Sequence, residues 1–341
     1  EFIYAEFLAP WVRPRTESLA HFQQGIAAGL DVGDRLHAAY CMAVGMAEAF
    51  YAGQALPELE TQFPGYLKAL AEQGDVLNQM LLSMVERAVA CLRGTTPTLG
   101  SMDSDGFSEE TFEAEAPPPV KAHYGAVKAM LSFLFGDAES AKRVSEEISP
   151  PPGVAFNAEY VFYHGLACAQ LALTAQPERR EELLSKLHAD LEKIAGWARL
   201  CPHNFLALEE LLQAELHAAR GDLSAAFGAG DRAIAAAAAA SASHHLAIVH
   251  ERLGRFQLRA GRKHLARLSL SEAQYQYQLW GAQGKVQQLR EEFPDTAGAA
   301  ALVSGDGTTH VQETSGSTSG DTGRLDLMSA MRAVNAIASE L

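Results

Sequence analysis

The sequence has little of what would tie a protein to nucleic acid, to a bilayer or to an oxidising compartment. Its 27 Lys and Arg stand against 42 Asp and Glu, a net charge of −15, whereas affinity for a phosphate backbone comes from clustered basic side chains. Nucleic acid is therefore not an expected partner. Four cysteines in 341 residues, Cys41, Cys91, Cys168 and Cys201, are too few and too scattered to form a disulfide framework, so a reducing, cytoplasmic setting is expected. The most apolar window, residues 233–240, is dominated by Ala and runs for only eight residues, far short of the roughly 20 that a membrane span requires. No basic stretch followed by an apolar one opens the chain, which argues against a signal peptide, and Glu1 in first place suggests a piece of something longer. Runs of alternating β-branched and polar residues with hairpin turns between them are missing as well, which removes the usual signal for strands.

What is present is helical periodicity. Phe205, Leu208, Leu212, Leu216 and Ala219 fall at steps of three and four, as do Ala266, Leu270, Ala273, Tyr277 and Trp280, and each set makes one apolar stripe. The fold is expected to be all-α. Gly-Asp dipeptides at Gly33-Asp34, Gly74-Asp75, Gly136-Asp137 and Gly221-Asp222, with Gly261-Arg262 in an equivalent place, punctuate the pattern. Glycine can close one helix in the left-handed conformation and aspartate can cap the next. From Gly33 to Gly74 is 41 residues and from Gly221 to Gly261 is 40. A repeat near 40 with two helices per unit predicts a tetratricopeptide-like α-solenoid of antiparallel helix pairs.

The array is expected over residues 1–297, interrupted by an acidic insert at 94–119. That insert carries Asp103, Asp105, Glu109, Glu110, Glu113 and Glu115 and no Lys or Arg; it reads as a solvated, partly extended loop packed by Phe107 and Phe112 rather than a cation site. Residues 298–323, rich in Gly, Ser, Thr and Ala, predict a flexible linker. Residues 324–341 return to helical spacing, with Leu327, Met331, Val334, Ala338 and Leu341 forming a coiled-coil seam. Trp280, Gly281 and Pro294 are expected to end the array.

No motif in the sequence completes a catalytic or metal-binding pattern. The stretch 281–286, GAQGKV, has the wrong glycine spacing and no hydroxyl for a phosphate-binding loop and predicts a helix end. His250-Glu251 lacks the second histidine of a zinc-protease helix, since Gly254 stands there. His244, His245 and His250 read as an incidental cluster, because adjacent helical residues point about 100° apart. Cys201 and His203 offer at most two ligands where structural zinc needs four. No catalytic residue, cofactor or metal site is assigned. Tyr160, Tyr163 and His164 share one predicted helix and are the candidate concave-face contacts of a solenoid, although packing between repeats explains them at least as well and is the favoured reading.

Particular residues carry a family likeness. Residues 197–205 (WARLCPHNF), 273–286 (AQYQYQLWGAQGKV), the closing Leu325, Asp326 and Leu327, the acidic insert ending near Pro117 and the turn Phe135-Gly136-Asp137 resemble the helical segment of large multidomain signalling proteins. In that family a serine/threonine-kinase-like domain is followed by an AAA/STAND-type ATPase, a tetratricopeptide-like array, a GAF sensor and usually a histidine kinase of a two-component system. The kinase, ATPase and phosphoacceptor motifs are absent from this sequence. The resemblance implies a non-catalytic regulatory and protein–protein interaction connector between the ATPase and sensor or kinase modules, with partners in the same or a partner chain. It implies as well a monomeric segment whose parent dimerises through the C-terminal helix. The alternative is an effector-binding sensor array of a STAND-type regulator, with a pocket around Tyr160, Tyr163 and His164.

Overall fold

The computed structural model describes residues 1–148 and 153–296, and these contain α-helices, turns and no strand. The chain divides into two units, Glu1–Val303 and Ser304–Leu341; the expected linker and C-terminal helix lie outside the described residues. The N-terminal quarter holds α1 (Phe2–Phe7), α2 (Ala9–Val12), α3 (Arg15–Val32), α4 (Arg35–Tyr51), α5 (Leu56–Glu60), α6 (Phe63–Gln73) and α7 (Val76–Arg93). The middle holds α8 (Glu109–Glu115), α9 (Pro118–Leu134), α10 (Ala138–Glu147), α11 (Asn157–Ala172) and α12 (Pro177–Ala198). The last part holds α13 (Pro202–Arg220), α14 (Leu223–Ala239), α15 (Ser243–Arg259), α16 (Lys263–Trp280) and α17 (Gln283–Glu292), and a 3₁₀ turn at Pro294–Thr296 follows. Neighbouring helices pack on one another in succession from α9 to α17, as an α-solenoid requires.

The four Gly-Asp dipeptides act as the sequence suggested. Each glycine has positive φ, and the Asp34, Asp75, Asp137 and Asp222 carboxylates accept from the backbone N–H three residues on, at 3.2, 3.1, 2.9 and 3.0 Å. Each aspartate therefore satisfies one of the donors that a helix start leaves free. Gly281 closes α16 in the left-handed conformation, and Phe293 and Pro294 follow the end of α17. The insert is more structured than its composition suggested. It forms α8, buries Phe112, and packs Phe107 against Phe112 and Phe112 against Tyr124, with ring centroids 5.1 and 5.5 Å apart. Glu109, one of its six acids, is buried and fully engaged: Oε1 accepts from the Met102 N–H and Ser101 Oγ, and Oε2 from Tyr124 and Lys128. The insert's acidity thus partly serves internal hydrogen bonding.

Packing is not confined to sequence neighbours. Trp11 of α2 lies 5.2 Å from Trp197 and 5.6 Å from Phe205, ring centre to ring centre. Trp280 of α16 reaches Phe50 of α4 at 6.3 Å, and α17 packs on α7. The late helices therefore close on the early ones, and one hydrophobic core runs from Ala5 to Leu289.

Candidate functional site

The three residues singled out in sequence all sit on α11 and part company there. Tyr163 is buried in the core against Phe162 and Phe133. Tyr160 donates from its hydroxyl to the Ala122 carbonyl at 2.7 Å, and with His164 it lines a cavity of about 380 Å³ between α10, α11 and α12. The cavity is charged and internally paired. His164 Nδ1 bonds the Asp190 carboxylate, and its Nε2 lies 3.5 Å from Glu146 and 3.6 Å from Cys168 Sγ. Burial disfavours the imidazolium, but the Asp190 and Cys168 hydrogen bonds outweigh it and raise the His164 pKa to about 10. Burial also works against ionised Glu146, yet hydrogen bonds from Lys142 and Lys186 hold it down to about 2. Cys168, though beside His164, is fully buried and does not line the cavity. Since the imidazole carries its proton at neutral pH, His164 and Asp190 form an ionic tie between α11 and α12.

A second polar centre lies deeper and was not anticipated. Arg15 opens α3 and is buried. Its Nη1 donates to Glu159 at 2.7 Å and reaches the Tyr51 carbonyl at 3.5 Å, while Nη2 donates to the Ala155 carbonyl at 2.8 Å. Glu48 stands 3.6 Å from Nε, an ion pair without a hydrogen bond. Buried Glu6 adds a third carboxyl. Burial raises the pKa of all three glutamates, and Arg15 opposes it in each case. One cation thus serves three carboxyls from α1, α4 and α11. Nearby, His244 is held neutral by burial, with Arg15 adding to the effect, and its pKa falls to about 3; burial likewise takes His245 well below its ordinary value. Their ring centres lie 3.8 Å apart with the rings tilted by 36°, and no group of three or more metal-ligating side chains occurs among the described residues.

The third centre explains the stretch 281–286. Lys285 is only 1 % exposed; its Nζ donates to the Leu134 carbonyl, to Glu251 at 3.1 Å and to Gln288 at 2.7 Å. Glu251 also accepts from Arg255 at 2.9 Å and from the Tyr277 hydroxyl at 2.9 Å. Against burial, Lys285 and then Arg255 hold the Glu251 pKa down to about 2. The glycines of this stretch permit close backbone approach: a Cβ on Gly281 would fall 2.5 Å from Pro57, and one on Gly284 would fall 2.9 Å from Gly94. The lysine is committed to protein partners, not to a phosphate.

The stretch 197–205 does comparable work at the other end. Pro14 cannot cap α3 with a side chain, and Asn204 supplies the missing acceptor, taking the Arg15 N–H on Oδ1 at 3.0 Å. Its Nδ2 donates to the Pro10 and Arg13 carbonyls at 2.7 and 2.8 Å. Sequence reasoning missed Arg15, Glu48, Glu159, Glu251 and Lys285, because each pairs with residues far away along the chain. No family model, curated protein or solved structure matches the chain.

Proposed function

We propose that this chain is a non-catalytic regulatory and interaction solenoid, built of antiparallel helix pairs with a period near 40 residues, that connects the ATPase and the sensor or kinase modules of a cytoplasmic signalling protein. The observation that carries this reading is that the stretches resembling that family, 197–205 and 273–286, are the ones that clasp distant helices. Asn204 holds the α2–α3 junction, and Trp280, Gly281 and Lys285 meet α4, α5 and the end of α9. A solenoid tied in this way moves as a block, so a displacement imposed on one end is passed to the other rather than absorbed by bending between repeats. In keeping with this setting, no helix among the described residues is long and apolar enough to cross a membrane, and all four cysteines are free.

The test is the complete open reading frame followed by a coupling assay. An NTPase module before this segment and a sensor or kinase module after it are expected, and Asn204→Ala in the whole protein should weaken the coupling between their activities. Flanks without such modules, or coupling unchanged in a variant whose clasp is demonstrably open, would overturn the reading.

A further inference from the structure

A cavity of about 260 Å³, distinct from the one beside His164, lies between the end of α9, the start of α10, α11, α15 and α17. Six polar side chains line it: Gln170 of α11, Glu251, Arg252 and Arg255 of α15, and Gln288 and Glu292 of α17. Cations behind the two amides orient them. Gln170 Oε1 accepts from Arg252 Nη1 at 2.8 Å, and Gln288 Oε1 accepts from Lys285 Nζ at 2.7 Å. An amide whose oxygen is committed in this way turns its NH2 group elsewhere. Both glutamines are half-buried. Neither Nε2 has an acceptor among the described residues and neither is sealed from solvent, so both NH2 groups open onto the cavity that the glutamines line.

The carboxylates in the wall are already engaged. Glu251 accepts from Arg255, Lys285 and Tyr277, and Arg255 grips both oxygens of Glu292 at 2.5 and 2.7 Å. Arg252, only 4 % exposed, bonds both oxygens of Glu215 and lies over the Phe133 ring at 5.4 Å. Its three hydrogen bonds leave one N–H over on each terminal nitrogen. One turn past Arg255 on the same side of α15, exposed Arg259 packs on Phe256 and has no acceptor among the described residues. Its pKa is lowered by burial and then by Arg252 and Arg255, against the pull of Glu215. Donors are therefore in surplus around this space, and acceptors are not. The volume falls just below the about 300–1,000 Å³ of sites for drug-sized ligands, which suits a molecule of a few carbons.

We propose that this cavity binds a small organic oxyanion, a carboxylate or phosphate ester of a few carbons. Amide and guanidinium N–H groups match the oxygens of either. Because the bonds to Arg252 and Lys285 fix both amides before a ligand arrives, little ordering is required on binding. The proposal goes beyond the connector reading and stands apart from it, since binding is measured on this chain alone and neither outcome decides whether signalling modules flank it.

The probes are two matched pairs: succinate with its neutral diamide, succinamide, and glycerol 3-phosphate with glycerol. NMR titrations of the wild-type chain should show at least one anion binding about tenfold or more tightly than its neutral partner, and the tighter anion tells carboxylate from phosphate. The same titrations should move the side-chain NH2 signals of Gln170 and Gln288. Gln170→Glu and Gln288→Glu each keep an oxygen for Arg252 or Lys285 and remove the NH2 group. The fold should therefore hold while anion affinity falls about tenfold or more. Should either variant fail to fold, the wild-type affinities and signals decide alone. Equal affinities within both pairs, no anion binding at millimolar concentration, unmoved Gln170 and Gln288 signals, or folded variants that bind as the wild type does would overturn the proposal.

Discussion

The Arg15 and Glu251 centres are both buried, both ionic, and built in opposite ways. At Glu251 one carboxylate takes hydrogen bonds from Lys285, Arg255 and Tyr277, and its pKa is depressed. At Arg15 one guanidinium faces Glu6, Glu48 and Glu159, carboxyls whose pKa values are raised, and neither Glu48 oxygen has a hydrogen bond. Burying a charge is costly unless both its pairing and its hydrogen bonds are complete. The Glu251 centre meets that condition and is a lock. The Arg15 centre does not, and its carboxyls hold their protons more tightly than free ones. The difference separates a region made for holding from one whose pairing is incomplete.

Removing the cation from each centre is the most severe way to break this comparison. Arg15→Met strands three carboxyls that share one positive neighbour, and a loss of about 3–5 kcal/mol in urea unfolding is expected. Lys285→Met should cost less, about 2 kcal/mol, because Glu251 keeps Arg255 and Tyr277 and the main orphan is the Leu134 carbonyl. Unfolding midpoints of the two variants, measured side by side with a common m-value, provide the check. Equal losses would mean that the Lys285 bonds carry more than their redundancy suggests and that the distinction between the centres is false.

Local chemistry was legible in the sequence and long-range chemistry was not. The helices, their Gly-Asp ends and the stop after Trp280 follow from spacing and from capping, which act within a few residues. Tyr163 shows the limit: helical spacing left core packing and concave-face contact both open, with core packing favoured, and only the structure places it in the core, since period alone does not say which face meets a neighbour. Lys285 shows the limit more sharply. In a glycine-containing stretch it reads as a failed phosphate loop, and only the approach of Leu134, 151 residues away, reveals its partner. Arg15, Glu159 and Asn204 carry no local signal at all, because their bonds span 144 and 189 residues. For His164, helical spacing found the position, but the charge and the Asp190 partner came from packing.

The subtlest test concerns Glu48 and should have the opposite sign. Its pKa is raised in the fold, by burial first, so the folded state holds this proton more tightly than the unfolded chain does. Such a group stabilises the fold fully below its unfolded pKa, and that contribution is lost as pH rises through the higher folded value. Glu48→Gln keeps the shape and removes the charge, so it imitates the protonated side chain at every pH. Near pH 4 the variant and the wild type should therefore unfold at similar urea concentrations. As the pH rises towards 8 the variant should become the more stable of the two, by up to about 1 kcal/mol, since Arg15 retains Glu159 as a hydrogen-bonded partner. Urea titrations across that range measure the difference directly. A variant destabilised by about 2 kcal/mol or more at neutral pH would identify Glu48 as a full ionic partner of Arg15, and the two centres would then be alike in kind.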